Sequence, residues 1–396
     1  MADIQRIIEQ DKAHYMNTYG DRIPLCFTHG QGSTLFDQDG RSYLDFLGGI
    51  AVNALGYGDE EFASVIGRQA AQIAHCSNYF YIEQQAELAR MLCEATCADR
   101  VFFGSTGSEA NEGAIKLARK YFRKQGVDRY EIISTLNSFH GRTLGALAAT
   151  GQDKYRAPFS PMPAGFINVP YGDAKAVEQA MTERTCAVLV ECIQGEGGVI
   201  PGGREYLSAL RALCDEKGVL LIMDEVQTGM GRTGSLFAHQ HYGVEPDIFT
   251  SAKALGNGLP IGALLCKEFC AAFEPGDHGT TFGGNPLSCS AGIYALSRIN
   301  RPEFLASVAR KGEALMDALR RLAKNCPAIL DVRGAGLMIG IELDKNHPVK
   351  KVSALLRDRG VIVGTAGGNT LRLLPPLVMH ESELLSIVPL LQEILA

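Results

Sequence analysis

The sequence predicts an α/β protein: a large domain with a mostly parallel sheet and a smaller α+β companion. Short apolar runs alternate with longer amphipathic stretches through the middle of the chain, and the pattern changes character after residue 290. At 396 residues the chain also exceeds one ordinary domain, for which roughly 100–200 residues is typical.

The runs at 100–103, 130–134, 186–190, 219–223, 248–250 and 262–266 read as strands, and the patterns at 109–122 and 204–217 read as helices between them. Strand and helix in alternation imply crossover units, whose strands are covered on both faces and therefore carry unbroken apolar runs. Residues 55–290 are expected to form this domain. A helical run at 302–324, strand-like stretches at 332–343 and 361–374, and a helix between those stretches make a second unit over 291–396. Strands at 34–37 and 43–46, joined through Asp39-Gly40, carry a hairpin turn signal and assign 1–54 to that smaller domain.

Composition narrows the function. A formal net charge of -6 and no Lys/Arg block leave no basic field for nucleic acid. The chain opens with charged residues where a signal peptide needs an apolar stretch, and no run approaches the roughly 20 apolar residues of a membrane span. A cytosolic protein is expected. The 11 cysteines include no Cys-x-x-Cys pair and read as reduced thiols. Cys93 with Cys97, and Cys266 with Cys270, are spaced to share helix faces, which points to apolar packing rather than metal.

The chemistry-bearing segments begin with RVFFGSTGSEANEGAIKLARKYF, an apolar strand, a small hydroxyl and glycine loop, and a helix. Free amides at a helix start attract an anion, Gly107 admits close approach, and Thr106 and Ser108 add hydroxyls. Ordinary capping by Thr106 and Glu109 explains the same residues equally well. No Gly-Lys dipeptide occurs, which excludes a Walker-type loop. Gly229-Met-Gly-Arg-Thr-Gly234 matches the dinucleotide fingerprint in form, but a polar interval separates it from its strand and no long helix follows. Asp224 ends the run VLLIMD, where parallel sheets present ligand-facing residues; a turn or cap role is the plainer reading of it alone. Lys253 sits among small and apolar residues in SAKALGNGLPIGALL, a setting that can lower a lysine pKa and make the amine nucleophilic, although an ordinary surface lysine is the plainer reading of it alone. An anion cradle, a strand-end acid and a sequestered lysine together match pyridoxal phosphate, which needs one of each for its phosphate, ring nitrogen and aldehyde.

From about residue 20 onward the sequence resembles the class III aminotransferases, and within them the acetylornithine aminotransferases. The resemblance rests on YLDFLGGIAVNALGY, STGSEANE, SFHGRTLGAL, ECIQGEGG, LIMDEVQTGMGRTG, SAKALGNGLPIGA, HGTTFGGNPLSC and TLRLLPPL. It implies a fold-type I pyridoxal-phosphate-dependent transferase in which Lys253 carries the cofactor and Asp224 holds the pyridinium proton. It further implies that Thr106, Gly107 and Ser108 bind the phosphate, that Glu225, Val226 and Gln227 belong to the cofactor site, and that Gln227 meets the ring hydroxyl. Phe139 would stack on the ring. Thr281 would reach the phosphate from a second subunit, with Thr280 beside it on the substrate side, so a homodimer is implied. Arg142 would read a substrate carboxylate, for which a structural ion pair is the alternative. Arg372 would be the second clamp, and Glu196 would pair with it when no substrate carboxylate is present. Ser105-Thr106 and Ser108 depart from the usual pattern but keep its hydroxyl chemistry, and Cys192 stands where a proline is common, which bears only on local loop rigidity.

The implied reaction transfers the terminal amino group of N2-acetylornithine to 2-oxoglutarate, giving N-acetylglutamate 5-semialdehyde and glutamate, a step of arginine biosynthesis. Succinylornithine, N-succinyl-diaminopimelate, ornithine or 4-aminobutyrate as donor would need the same catalytic residues. An aminomutase or decarboxylase of the same fold would consume no oxo acid, and a dehydrogenase built on 229–234 would bind nicotinamide instead.

Overall fold

The structure, a computed structural model, describes residues 4–396. Its largest sheet runs in the order Arg100–Gly104, Gly262–Cys266, Ile248–Ser251, Leu220–Asp224, Thr185–Glu191, Glu131–Thr135 and Phe166–Val169. All neighbours are parallel except Gly262–Cys266, which is antiparallel to both of its partners. Every residue of Thr185–Glu191 and Leu220–Asp224 is buried, as expected of central strands covered on both faces. Each strand expected in this region is present to within one or two residues, and Gly262–Cys266 matches in full.

The helix Gly107–Lys124 starts where the residues dictate. Thr106 caps it by accepting from the Glu109 amide at 3.1 Å, while the Glu109 carboxylate reaches back to the Ser105 amide at 2.6 Å. Its buried stripe of Ala114, Leu117 and Ala118 joins Ile222, Ile248 and Leu264 in one apolar cluster on the sheet. That packing fixes the start of the helix over the carboxyl ends of the strands.

Phe27–Gln31, Thr34–Asp37 and Ser42–Asp45 form an antiparallel meander, and Val361–Ile362 adds to it in parallel. The turn between the second and third strands has Gly40 at φ +79, and Asp37 accepts the Asp39 and Arg41 amides. A further sheet orders Ile329–Ala335, Met338–Leu343, Thr370–Leu373 and Gly364–Ala366. The stretch expected as strand at 332–343 is thus a hairpin, and that at 361–374 is three short strands interrupted at Val363 and at the turn after Ala366.

Two expectations need correction or gain an explanation. The cysteine pairs do not share helix faces: Cys93 lies in the helix Glu83–Ala95 but Cys97 lies beyond it, and Cys266 ends a strand while Cys270 sits in the short turn Glu268–Cys270. Regular i,i+4 spacing cannot by itself tell a helix from a strand followed by a turn. Residues 229–234, the apparent dinucleotide loop, form a turn followed only by the short helix Ala238–Tyr242. These glycines serve packing instead. A Cβ on Gly234 would lie 2.9 Å from that of Ala309 in the helix Pro302–Ala323. Among the described residues no helix is long and apolar enough to cross a membrane, and no His/Cys/Asp/Glu group is arranged to hold a metal.

Gly336, at the hairpin tip with φ +53, faces the same turn; a Cβ there would meet the Arg232 carbonyl oxygen at 2.6 Å. Gly336→Ala is therefore expected to lower unfolding stability by about 1–3 kcal/mol, read as a drop in the urea midpoint. An unchanged midpoint would show that the two turns are free to part.

Candidate active site

The carboxyl ends of adjacent strands bring the candidate residues together. Glu191 is in register with Asp224, and Asp224 with Thr250 on the next strand, three residues before Lys253. A cavity of about 370 Å³ opens above this edge and is lined by Thr106, Gly107, Ser108, Phe139, Asp224, Val226, Gln227, Glu196 and Lys253 among others. Its size falls within the roughly 300–1,000 Å³ of small-molecule sites.

Lys253 stands in the left-handed region, φ +49, directly after an extended Ala252. A non-glycine residue held there costs of order 1–3 kcal/mol, and such strain gathers at functional positions. It is half-buried and lines the cavity. Burial, followed by the charge of Arg372, pushes its ammonium down to about 8, against the opposing pull of Glu196, Asp224 and Glu191. The amine is therefore partly neutral near physiological pH, as a nucleophile or base requires.

Asp224 is 4% exposed and held from below. His140 Nδ1 and Asn111 Nδ2 both contact its Oδ2 at 2.8 Å, and the Val226 amide donates to Oδ1 at 3.0 Å. Asn111 in turn donates to the His140 carbonyl and accepts from the Thr250 hydroxyl. The turn role suggested for Asp224 is real, through Val226, and coexists with its place on the cavity wall. The capping role of Thr106 coexists with the cradle in the same way. Glu109 N and Ala110 N are taken by Thr106, which leaves the Gly107 and Ser108 amides on the cavity wall as donors for an anion.

Arg372, in the middle of Thr370–Leu373, is 3% exposed and pairs with Glu196, and it also donates to Gln227 Oε1 at 3.3 Å. Burial alone would raise the Glu196 carboxyl. The Arg372 charge and hydrogen bond, with help from Lys253 and Gln227, outweigh burial and hold the group below the usual carboxylate range.

Arg142 is exposed and forms no ion pair among the described residues. Its guanidinium stacks over the Tyr155 ring at 3.9 Å and lies 5.5 Å from the Phe139 ring centre, which leaves the fork open to a carboxylate. Thr280 and Thr281 stand apart from the Lys253 cavity. They line a different hollow with His75, Tyr79 and Phe103.

One expected site residue turns its side chain to other partners. The Glu225 carboxylate does not line the cavity; it is spent on the Thr228 hydroxyl, the Ala238 and His239 amides, and His239 Nδ1 at 3.1 Å. Although burial opposes it, hydrogen bonding to Cys97 and to this carboxylate pushes His239 up to about 9. Sequence reasoning also passed over Asn111, His140 and Glu191, all on the cavity wall. Glu191 ends an apolar strand just as Asp224 does, so the signal was there. His140 and Asn111 become legible only once the helix and the 137–142 loop are placed over the sheet.

The chain belongs to the class III aminotransferase family, whose description matches residues 15–395. Among curated relatives, the acetylornithine aminotransferase of Caldanaerobacter subterraneus is 46% identical over 98% of this chain and 99% of its own length. That of Methanothermobacter thermautotrophicus is 46% identical over 100% and 99%. The solved N-acetylornithine aminotransferase of Stenotrophomonas maltophilia superposes with a TM-score of 0.83 at 35% identity, over 96% of this chain and 97% of that one. The ornithine aminotransferase of Toxoplasma gondii gives 0.93 at 31% identity, over 99% and 96%. The fold is that of this family and the protein is an aminotransferase.

The geometry around Lys253 gives a direct expectation. In cofactor-free protein, pulse acetylation with peptide mass spectrometry should find Lys253 reacting with a midpoint near pH 8, well below the roughly 10.4 of ordinary lysines. A Lys253 midpoint at the surface value would mean that the amine is not desolvated.

Proposed function

We propose that the protein binds pyridoxal phosphate on Lys253 and transfers the terminal amino group of N2-acetylornithine to 2-oxoglutarate, giving N-acetylglutamate 5-semialdehyde and glutamate. One juxtaposition carries the cofactor assignment: the Lys253 amine, the Asp224 carboxylate and the Gly107 helix start share one cavity. The residues fit the group. A low-pKa amine suits an aldehyde, a carboxylate braced by His140 and Asn111 suits a ring N–H⁺, and unpaired helix amides suit a phosphate. Bound pyridoxal phosphate supplies an aldehyde that condenses with amines and a protonated ring that draws electrons from the neighbouring C–H bond.

The chain's own residues do the rest. Asp224 keeps the ring proton in place because its Oδ2 is fixed by His140 and Asn111 and cannot swing away. Phe139, Val226 and Gln227 line the same cavity, where the first two would wall the ring and Gln227 would meet its hydroxyl. Lys253 Nζ, freed once the donor's amine takes its place on the aldehyde and able to gain and lose a proton near pH 8, would move the proton from the substrate carbon that bears the amine to the former aldehyde carbon. Arg142, with its fork unpaired, holds the carboxylate common to both substrates. The Arg372–Glu196 pair stays closed for the monocarboxylate donor and opens for the second carboxylate of 2-oxoglutarate. A buried arginine left alone in either half-reaction would cost several kcal/mol, which the alternation avoids.

Acetylornithine is preferred as donor because relatives of that name share 46% identity along nearly the whole chain, whereas the ornithine enzyme cited above shares 31%. We further read the active unit as a homodimer in which Thr281 of one subunit reaches the phosphate of the other. Tyr79, Phe80, Tyr81 and Phe282 are exposed near the hollow that holds Thr281, and an apolar patch of this kind suits a protein interface. We take 55–290 as the large domain and 1–54 with 291–396 as the small one, a division supported by the sheet that joins 361–362 to Ser42–Asp45. The small charged substrates suit an enzyme of the cytosol.

A donor panel at fixed 2-oxoglutarate tests the substrate: N2-acetylornithine should give the highest kcat/KM, and a higher value for ornithine or 4-aminobutyrate would reassign it. Turnover without an oxo acid would instead indicate a mutase or decarboxylase. Asp224→Ala should retain the circular-dichroism spectrum yet lose about 10²-fold or more in kcat; an unchanged rate would remove Asp224 from the mechanism.

A further inference from the structure

The mechanism above leaves one buried acid of the cavity unused. Glu191 closes the strand beside Asp224, is 5% exposed, and lines the cavity. Its two oxygens serve two different loops. Oε2 accepts the Phe139 amide and Oε1 accepts the Gly195 amide, each at 3.3 Å. The first loop carries Phe139 and Arg142; the second leads into Glu196, the partner of Arg372. A carboxylate buried for stability would be expected to have an ion pair and short bonds, and Glu191 has neither. Its fitness lies in having two acceptors pointing in two directions.

We propose that Glu191 is a positioning residue that ties the Phe139–Arg142 wall to the Glu196 turn and so sets the spacing between the two arginines that read substrate carboxylates. This deepens the proposed function and rests on it for its kinetic consequence, but the tie itself is a property of the cofactor-free chain. Glutamine in place of Glu191 keeps one acceptor, because its NH₂ must turn toward one of the two amides; alanine keeps none. The tie is also sensitive to pH. Burial first, then the charge of Asp224, push the Glu191 carboxyl up to about 7, against His140 and the two amides. The charged or titratable groups facing it are His140 from the 137–142 loop, Asp224 from the neighbouring strand, Lys253 beyond the next, and the Cys192 thiol and Tyr171 hydroxyl, whose own pKa values burial raises. As pH falls through about 7 the carboxyl gains a proton and one acceptor weakens.

Hydrogen–deuterium exchange on cofactor-free protein reads the two amides directly. At pH 8, peptides covering 137–142 and 193–198 should exchange roughly tenfold faster in Glu191→Ala than in wild type, the scale of one lost hydrogen bond. Glu191→Gln should fall between, and a peptide covering Leu220–Asp224 should be unchanged in both. After correction for intrinsic exchange, wild-type protection of the two loops should drop between pH 8 and pH 6, and that of Glu191→Gln should not. In the loaded enzyme Glu191→Ala should raise KM for both carboxylate substrates about fivefold, a larger change than in kcat. Wild-type protection in Glu191→Ala would overturn the tie. If Glu191→Ala exchanges fast everywhere, it has unfolded and Glu191→Gln decides: wild-type exchange and a wild-type pH response there would overturn the tie too. A wild-type protein that exchanges as expected but captures no cofactor would defeat the functional reading and leave the tie standing.

Discussion

The site depends on keeping opposite charges mutually compensated in a partly buried cavity. Lys253 and Arg372 bring positive charge to the cavity, and Asp224, Glu191 and Glu196 bring negative charge. Any one of them alone in that position would carry a desolvation penalty of several kcal/mol. Together they offset part of that penalty, and burial leaves two groups displaced, with Lys253 drawn down to about 8 and Glu191 pushed up to about 7. Displaced groups of this kind are what a proton-transfer site needs.

The fold supplies that compensation from separate parts of the chain. Glu191 and Asp224 come from neighbouring parallel strands, Lys253 from the turn after the next, and Arg372 from a different sheet. The buried Arg232 helps hold the two parts in place by donating to the Leu337 and Pro375 carbonyls, which lie just beyond the carboxyl end of the strand that bears Arg372. This arrangement explains why the glycine-rich turn at 229–234 is so tightly packed: it is a joint, and its resemblance to a nucleotide loop is incidental. The same turn follows directly on Asp224–Gln227, so the joint and the cavity floor are continuous in the chain.

Much of this was legible in the residues. The strand-end position of Asp224, the unusual setting of Lys253 and the small-residue loop before Gly107 each reflect a local rule, and parallel-sheet topology brings such positions to one edge. What was not legible depends on direction or on distance. Glu225 follows Asp224 immediately, but its side chain points toward His239, and no sequence signal fixes that orientation. His140 and Asn111 lie far apart in sequence from the acid they brace. The cysteine pairs were misread because their spacing fits a helix equally well. The hairpin at 332–343 reads as one stretch because its tip, Gly336-Leu337, carries no Asn, Asp or Pro turn signal and runs straight into an apolar segment.

The central claim is that one amine, Lys253, is the attachment point for pyridoxal phosphate. Borohydride reduction of the loaded enzyme followed by proteolysis and mass spectrometry tests it most directly. The reduced phosphopyridoxyl group should be found on the peptide that contains Lys253 and on no other. Its recovery on a different lysine, or unmodified Lys253 in enzyme that is fully active before reduction, would contradict the account.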